Sequence, residues 1–209
     1  MGAEEIRGTA AECGSFLRSC LDRDWSASIP DLDMSVIEVV AHAATGCLWY
    51  SIDLAAGGKD LEPVELRVKT NGLAVDVLDT FVTHGEVVAA VVETSPGSAR
   101  GFHPMGTADP SGFAAMACDE MLIHTYDASL GLGVPFAPDV GVVNAVLGRL
   151  FPWVEVEPSG SAAMPPSDSW PRLLWANGRI ELGDSPRLSG WAWHCAPLSE
   201  WDGTIPRRR

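Results

Sequence analysis

Long segments in which apolar residues recur at helical spacing constrain the fold of this chain more than any other feature. In the first of them, Ile6, Cys13 and Leu17 fall on one face of a helix. Because loops rather than strands separate these segments, the sequence predicts a mainly α protein built on a four-helix bundle. The apolar pattern predicts four long helices and a shorter fifth one, over residues 3–23, 36–57, 73–93, 112–133 and 139–150.

The second predicted helix has clear end signals, and two other regions have weaker ones. Ser35 and Glu38 have the spacing of a capping box, and Gly57 follows the last apolar turn. Residues 62–70 fit either a short strand or an extended linker. Residues 152–169 are rich in proline and serine and predict a mobile connection.

The end of the chain differs in composition from the bundle. Five of the eight tryptophans follow residue 169, in short stretches that each fit a helix end or a short strand. We therefore expect residues 1–151 to form the bundle domain. Residues 152–209 are expected to form a small, tryptophan-rich α+β subdomain that packs on it.

Composition excludes several classes of protein. Apolar residues make up 46% of the 209 residues and charged residues 20%, a balance that excludes a disordered chain. The net charge of −14 argues against nucleic acid as a partner. No secretion signal or apolar run of membrane-spanning length is present, so we expect a cytoplasmic protein without a membrane partner. The five cysteines show no C-x-x-C spacing, which argues against a disulfide framework or a cysteine zinc site.

A glutamate and two histidines are the clearest candidates for chemistry. Glu120 and His124 are four residues apart on the fourth predicted helix, which puts both side chains on one face. His42 lies among apolar residues of the second predicted helix. Buried ionisable groups need a partner or a metal. Three protein ligands and an open fourth position form a catalytic zinc site, so the sequence predicts a metal site on the bundle.

The same residues allow simpler interpretations. A single helical histidine usually packs in the core or lies on the surface, and a Glu–His pair at this spacing also stabilises a helix. Glu38, four residues before His42, is best placed as the capping carboxylate. A two-metal bundle that used both Glu–His pairs would depart from the Glu-x-x-His spacing of di-iron bundles.

Three stretches of the chain resemble the mycothiol-dependent maleylpyruvate isomerase family of the DinB-like superfamily. The first runs from Trp25 through DLDMSVIEVVAHAATG, which contains His42, and the second is MACDEMLIHTYDASLGLG. The third comprises LLWANGR and WAWHCAPLSEWDG. The resemblance implies a DinB-like four-helix bundle with a smaller C-terminal domain.

The resemblance also implies a ligand set, cofactors and an activity. It matches His42, Glu120 and His124 to the metal ligands of that family, with zinc as the metal and mycothiol as the thiol cofactor. In the maleylpyruvate isomerase itself, a longer C-terminal domain supplies a substrate-binding arginine, for which Arg179 is the candidate here. The implied activity is that of a metal-dependent isomerase or transferase that uses a low-molecular-weight thiol.

Other residues are candidates for supporting roles. Asp127 fits either an acceptor for the second N–H of His124 or a partner of the backbone near the helix end. Trp49 follows His42 by two helical turns and fits either a pocket wall or core packing. Three residues are weaker candidates for catalysis or substrate binding, and each has a simpler interpretation. His103 fits a turn-rich connector, Arg100 fits an exposed charge and His194 fits aromatic packing.

Three functions are compatible with these residues. The first is the thiol-dependent isomerase or transferase, and the second is a hydrolase or lyase that uses activated water at the same ligands. The third is a non-catalytic bundle that binds a ligand or partner and keeps the metal as a structural element. A fourth protein ligand, such as His103 or Asp127, would favour the third. For an enzyme we expect a small-molecule substrate and a pocket between the second and fourth helices, under residues 95–111 and the tryptophan-rich tail. The sequence indicates no oligomeric state.

Overall fold

The computed structural model describes residues 1–61, 63–155 and 169–206. Four long helices form the body of this part of the chain, as predicted, and three shorter helices follow them. The seven helices are α1 Ala3–Ser19, α2 Val36–Ala56, α3 Ala74–Thr94, α4 Pro110–Leu132, α5 Val140–Leu150, α6 Pro152–Glu155 and α7 Ser169–Ala176.

Helix α4 is the central helix of the bundle. It packs against α1, α2, α3 and α5, and 18 of its 23 residues are buried. A helix that is covered on all sides must bury whatever polar residues it carries. The polar side chains of α4 therefore lie in the interior, which is the condition for a metal site or a buried ion pair.

Local signals set the ends of the two helices that carry the site. The backbone N–H and the hydroxyl of Ser35 both donate to Glu38 Oε2, at 2.8 and 2.6 Å, which confirms the interaction predicted at the start of α2. Helix α4 begins at Pro110, two residues earlier than predicted, because Asp109 caps it by accepting the N–H of Gly112 at 3.0 Å. Gly133 ends α4 with a left-handed φ of 66°.

The predicted β part of the C-terminal region is wrong. In the described tail, residues 169–206, the structure has α7, a short 3-10 helix at Leu198–Glu200 and irregular chain. A single bridge between Leu182 and Ser185 replaces the expected strands. The aromatic residues of this region pack through ring contacts instead: the rings of Trp191 contact those of Phe151 and Trp193.

The two ambiguous connections have different outcomes. Residues 63–71 form an extended linker rather than a strand. The Val68 N–H donates to Thr45 Oγ1 at 3.1 Å, which fixes the linker to α2. Most of the connection predicted at 152–169 lies outside the described residues, so its mobility stays a prediction, as do the two domain boundaries.

Hydrogen bonds attach the tail to the bundle. His194 donates its backbone N–H to the carbonyl of Leu150 at 2.9 Å. The buried Arg149 guanidinium binds Asp109 and donates to the carbonyl of Cys195 at 3.0 Å. Among the described helices, none combines the length and apolarity needed to cross a membrane.

Candidate metal site

Helices α2 and α4 bring the three predicted ligands together. Nε2 of His42 and Nε2 of His124 lie 3.5 and 3.3 Å from the same atom, Glu120 Oε1. The two imidazole rings are perpendicular, with centroids 4.9 Å apart. One ligand atom from each residue falls within 4.8 Å of the other two, so the group could hold a metal ion.

The group is buried on one side and open on the other. The exposed fractions of the side chains are 57% for His42, 14% for His124 and 9% for Glu120. The carboxylate therefore lies inside the bundle, whereas the first histidine lies at its surface. A bound ion would be accessible to small molecules from the His42 side.

Gly46 lets Glu120 approach α2. It follows His42 by one helical turn, and a Cβ atom at this position would lie only 2.9 Å from Glu120 Oε1 and 3.1 Å from Glu120 Cδ. Any larger residue would have to displace the carboxylate. Because Gly46 has no side chain, the Glu120 carboxylate can occupy the space beside it.

A tyrosine and the two histidines hold Glu120 in its ionised form. The buried Tyr50 hydroxyl donates to Glu120 Oε2 at 2.9 Å, which leaves Oε1 facing the imidazoles. Burial would raise the pKa of Glu120. The attraction of His124 and His42 and the hydrogen bonds from His124 and Tyr50 outweigh burial and lower the pKa.

An aspartate and an arginine orient His124. Nδ1 of His124 lies 3.0 Å from Asp127 Oδ2, so Asp127 takes the predicted role of partner to the second ring nitrogen. Arg179 Nε and Nη2 donate to Asp127 at 2.9 Å. Burial would lower the pKa of His124, but Glu120 and Asp127 together raise it to about 9. A metal ion at this group would have to displace that proton.

The aspartate before Glu120 anchors the tail. Asp119 is buried, and its two oxygens each accept a hydrogen bond at 3.0 Å, one from Asn177 Nδ2 and one from Trp193 Nε1. Burial raises the pKa of Asp119 to about 7, although these two hydrogen bonds act in the opposite direction. The tail therefore contacts a residue at each end of the Glu120–His124 turn, Asp119 before it and Asp127 after it.

A groove of about 760 Å³ borders His42. Residues of α2 form one wall and residues 66–71 of the linker form the other. We expected the pocket under residues 95–111 and the tryptophan-rich tail, but neither segment lines this groove, which lies beside the linker that Thr45 fixes. Its lining mixes apolar residues with basic and polar ones: Met34, Glu38, Ala41, His42, Thr45, Leu66, Arg67, Val68, Lys69, Thr70 and Asn71.

Four weaker candidates lie outside the ligand group. Arg100 pairs with Glu200 at 3.2 Å, and His194 Nε2 lies 3.2 Å from the carbonyl of Pro197. No hydrogen bond or ion pair joins either of them, or the half-buried Trp49, to the three ligands within the described residues. His103 lies nearer, with its ring 5.8 Å from that of Tyr50, but its Nδ1 accepts the N–H of Met105 at 3.2 Å.

Arg179 binds Asp127, and its substrate-binding role stays a prediction. As a substrate-binding residue it would present its guanidinium to a pocket. In the structure both Nε and Nη2 are engaged by Asp127, and Nη1 donates to the carbonyl of Asn177 at 3.0 Å. Arg179 is therefore a positioning residue that acts on His124 through Asp127.

Two residues of the site were missed at the sequence level, although α2 carries a signal for both. Gly46 is one turn after His42, and Tyr50 is two turns after it, so the face that carries the histidine also carries them. Trp49, the candidate that the sequence indicates on this face, is the residue before Tyr50. The spacing of Gly46 and Tyr50, one and two helical turns from His42, is the sequence signal that could have identified them.

The donor set fits a divalent zinc ion. Two ligand bonds of about 2.0–2.1 Å at a tetrahedral angle place their donor atoms about 3.3 Å apart. The distances from Glu120 Oε1 to the two imidazole nitrogens, 3.3 and 3.5 Å, match that spacing. Zinc sites commonly use nitrogen and carboxylate oxygen ligands, and this group offers two nitrogens and one oxygen. They also commonly have a carboxylate hydrogen-bonded to a ligand imidazole, as Asp127 is here.

Comparisons with known proteins give no assignment. No protein-family model matches the chain, and neither a curated protein nor a solved structure matches it. The helical bundle and the His42–Glu120–His124 group therefore stand on the geometry of this chain alone.

Proposed function

We propose that this chain is a DinB-like, zinc-dependent enzyme that acts on a small molecule together with a low-molecular-weight thiol such as mycothiol, as an isomerase or transferase. The observation that carries the proposal is the convergence of three ligand atoms within 4.8 Å. The half-exposed side of His42 supports an open coordination position, which a catalytic zinc needs.

The residues around the site have distinct roles in this proposal. When bound, zinc lowers the pKa of a thiol or water molecule that coordinates to it. Tyr50 holds Glu120 so that Oε1 faces the two imidazoles. Arg179 fixes Asp127, and Asp127 fixes the ring of His124 with Nε2 towards Glu120.

The groove beside His42 supports a small-molecule partner. Its volume of about 760 Å³ lies within the range of about 300–1,000 Å³ that ligand pockets occupy. Apolar residues such as Met34 and Val68 would bury the body of a ligand. The exposed cations Arg67 and Lys69 would contact its polar groups.

Cobalt substitution tests whether the site binds a thiol. We expect mycothiol, added to the Co(II)-loaded protein, to produce a sulfur-to-cobalt charge-transfer band, and we expect S-methyl mycothiol to produce none. The band should be absent in His124→Ala and retained in His84→Ala, a matched variant of a histidine whose Nδ1 meets the carbonyl of Ala44 at 2.7 Å.

Two results would contradict the proposal in different ways. A protein that takes up no Co(II) would show that the three residues are not a metal site. A loaded protein without a thiol band, whose spectrum instead titrates as a bound water ionises, would exclude the thiol and favour the hydrolase or lyase alternative.

A further inference from the structure

A cluster of sulfur and imidazole ligands lies where the tail meets the bundle. Cys195 Sγ lies 3.8 Å from His103 Nδ1 and 3.8 Å from Met116 Sδ. The three residues come from three separate parts of the chain: the loop before α4, α4 itself and the tail. None of them belongs to the His42–Glu120–His124 group. We call them the sulfur cluster.

The spacing of the sulfur cluster is that of metal ligands. Metal–sulfur bonds of about 2.3 Å and metal–nitrogen bonds of about 2.0 Å place donor atoms about 3.5–4.0 Å apart, at angles between tetrahedral and trigonal. Both distances from Cys195 Sγ, at 3.8 Å, fall in that range. The Cys195 sulfur is therefore placed to share an ion with each of its two neighbours.

The environment of the sulfur cluster favours coordination over other thiol chemistry. Cys195 is only 3% exposed, so its thiol is not an accessible nucleophile. His103 Nδ1 accepts the N–H of Met105 at 3.2 Å, so it carries the lone pair of the ring, and coordination would replace that hydrogen bond. Burial raises the pKa of the Cys195 thiol to about 12, and the Arg149 guanidinium, which donates to the carbonyl of Cys195 at 3.0 Å, acts in the opposite direction.

The donor types select the metal. A thiolate, a thioether and an imidazole form a soft ligand set, which favours Cu(I) over the harder divalent ions. The candidate site at His42 offers nitrogen and carboxylate oxygen instead, which suit zinc. The two groups therefore differ in the ion that each would retain.

We propose that Cys195, Met116 and His103 form a second metal site, specific for Cu(I), that ties the tail to the bundle. Binding exchanges the thiol proton of Cys195 for the copper ion, and the proton passes to solvent. Copper enters and remains as Cu(I), so the step needs no oxidant or reductant. Since the three ligands lie on three segments, the bound ion would cross-link them.

Competition for Cu(I) tests this second site. The full chain is titrated without oxygen against a Cu(I)–bicinchoninate complex, with Ag(I) as a redox-inert probe in a parallel thermal unfolding series. We expect the wild type to take one Cu(I) per chain and Cys195→Ser, which loses a direct ligand, to bind more than about 100-fold more weakly. Ag(I) should raise the unfolding midpoint of the wild type but not that of Cys195→Ser.

Matched variants separate this site from other cysteines and from the zinc site. Cys20→Ser removes another buried thiol, whose sulfur lies 3.7 Å from Ser19 Oγ, and it should leave Cu(I) binding unchanged. His124→Ala should lose zinc and retain Cu(I). Met116→Leu keeps the volume of the side chain and should weaken Cu(I) binding even if Cys195→Ser fails to fold. A wild type that cannot compete for Cu(I), or equal losses in Cys20→Ser and Cys195→Ser, would overturn the proposal.

Discussion

The bundle and the tail contribute to the candidate zinc site in different ways. The three ligands lie on α2 and α4, where helical geometry alone sets the spacing of Glu120 and His124. Further support comes from far along the chain: Arg179 reaches Asp127 across 52 positions and Trp193 reaches Asp119 across 74. The bundle thus supplies the donor atoms and their direct partners, and the tail holds those partners in place. Cutting the tail contacts should weaken metal binding, whereas removing a ligand should abolish it.

Glu120→Gln should have the largest effect on zinc affinity. The amide keeps the shape of the side chain but removes the negative charge that both imidazoles face. We expect the affinity, measured by competition with a chelator, to fall by more than about 100-fold, beyond the range of supporting contacts. Glu38→Gln is the control, since Glu38 caps α2, and its affinity should be that of the wild type.

Arg179→Met tests the contribution of the tail. Without the guanidinium, Asp127 keeps only His124 as a partner, so we expect zinc affinity to fall by about 10–100-fold. The free energy of unfolding should fall by about 1–3 kcal/mol, because a buried carboxylate loses its cation. Arg187→Met removes an exposed tail arginine paired with Asp31 and should change neither quantity. An affinity loss as large as that of Glu120→Gln would contradict the division between the two regions.

Gly46→Ala perturbs the bundle side by one methyl group. The new Cβ would lie 2.9 Å from Glu120 Oε1, so the carboxylate must move away from the imidazoles. We expect a smaller loss of zinc affinity than in Arg179→Met. The overpacking cost of about 1–3 kcal/mol should be partly offset by the better helix propensity of alanine. In Gly148→Ala the added Cβ meets nothing within 4 Å, so that variant should only gain stability.

Two buried aspartates have pKa values that are shifted in opposite directions, and the smallest expected effect concerns one of them, Asp53. Burial would raise the pKa of Asp127, but the hydrogen bonds from His124 and Arg179 lower it. In α2, burial and then the charge of Asp60 raise the pKa of Asp53 to about 6. No hydrogen bond of the Asp53 carboxylate is found within the described residues.

The pH dependence of unfolding tests whether the pKa of Asp53 is raised. Because the pKa of Asp53 is raised in the folded state from an ordinary value of 3.8, its contribution to stability is lost as the pH rises from about 4 to about 6. At pH 7.5 the free energy of unfolding of Asp53→Asn should therefore be about 1–3 kcal/mol larger than that of the wild type, and at pH 4 the two should be equal. Equal gains at both pH values would contradict this assignment.

The grouping of His42, Glu120 and His124 was predictable because it follows helical periodicity. Polar residues at regular spacing among the apolar neighbours of α2 and α4 can be recognised in the sequence, and so could Asp127, one turn beyond His124. Gly46 and Tyr50 lay on the same face but carry no metal-ligand chemistry of their own. The role of Arg179 could not be predicted, because its partner is set by how an irregular tail folds back on α4. The prediction of strands in the tail was wrong for the same reason: its tryptophans pack against the bundle and against one another, and not in a sheet.

Metal content is the most direct test of the site. We would measure zinc by elemental analysis in the untagged wild type, in His124→Ala and in His84→Ala. The geometry of His42, Glu120 and His124 predicts about one zinc per chain in the wild type and in His84→Ala, and none in His124→Ala. A wild type that stays free of metal after reconstitution with zinc, or a His124→Ala variant that keeps its zinc, would contradict it.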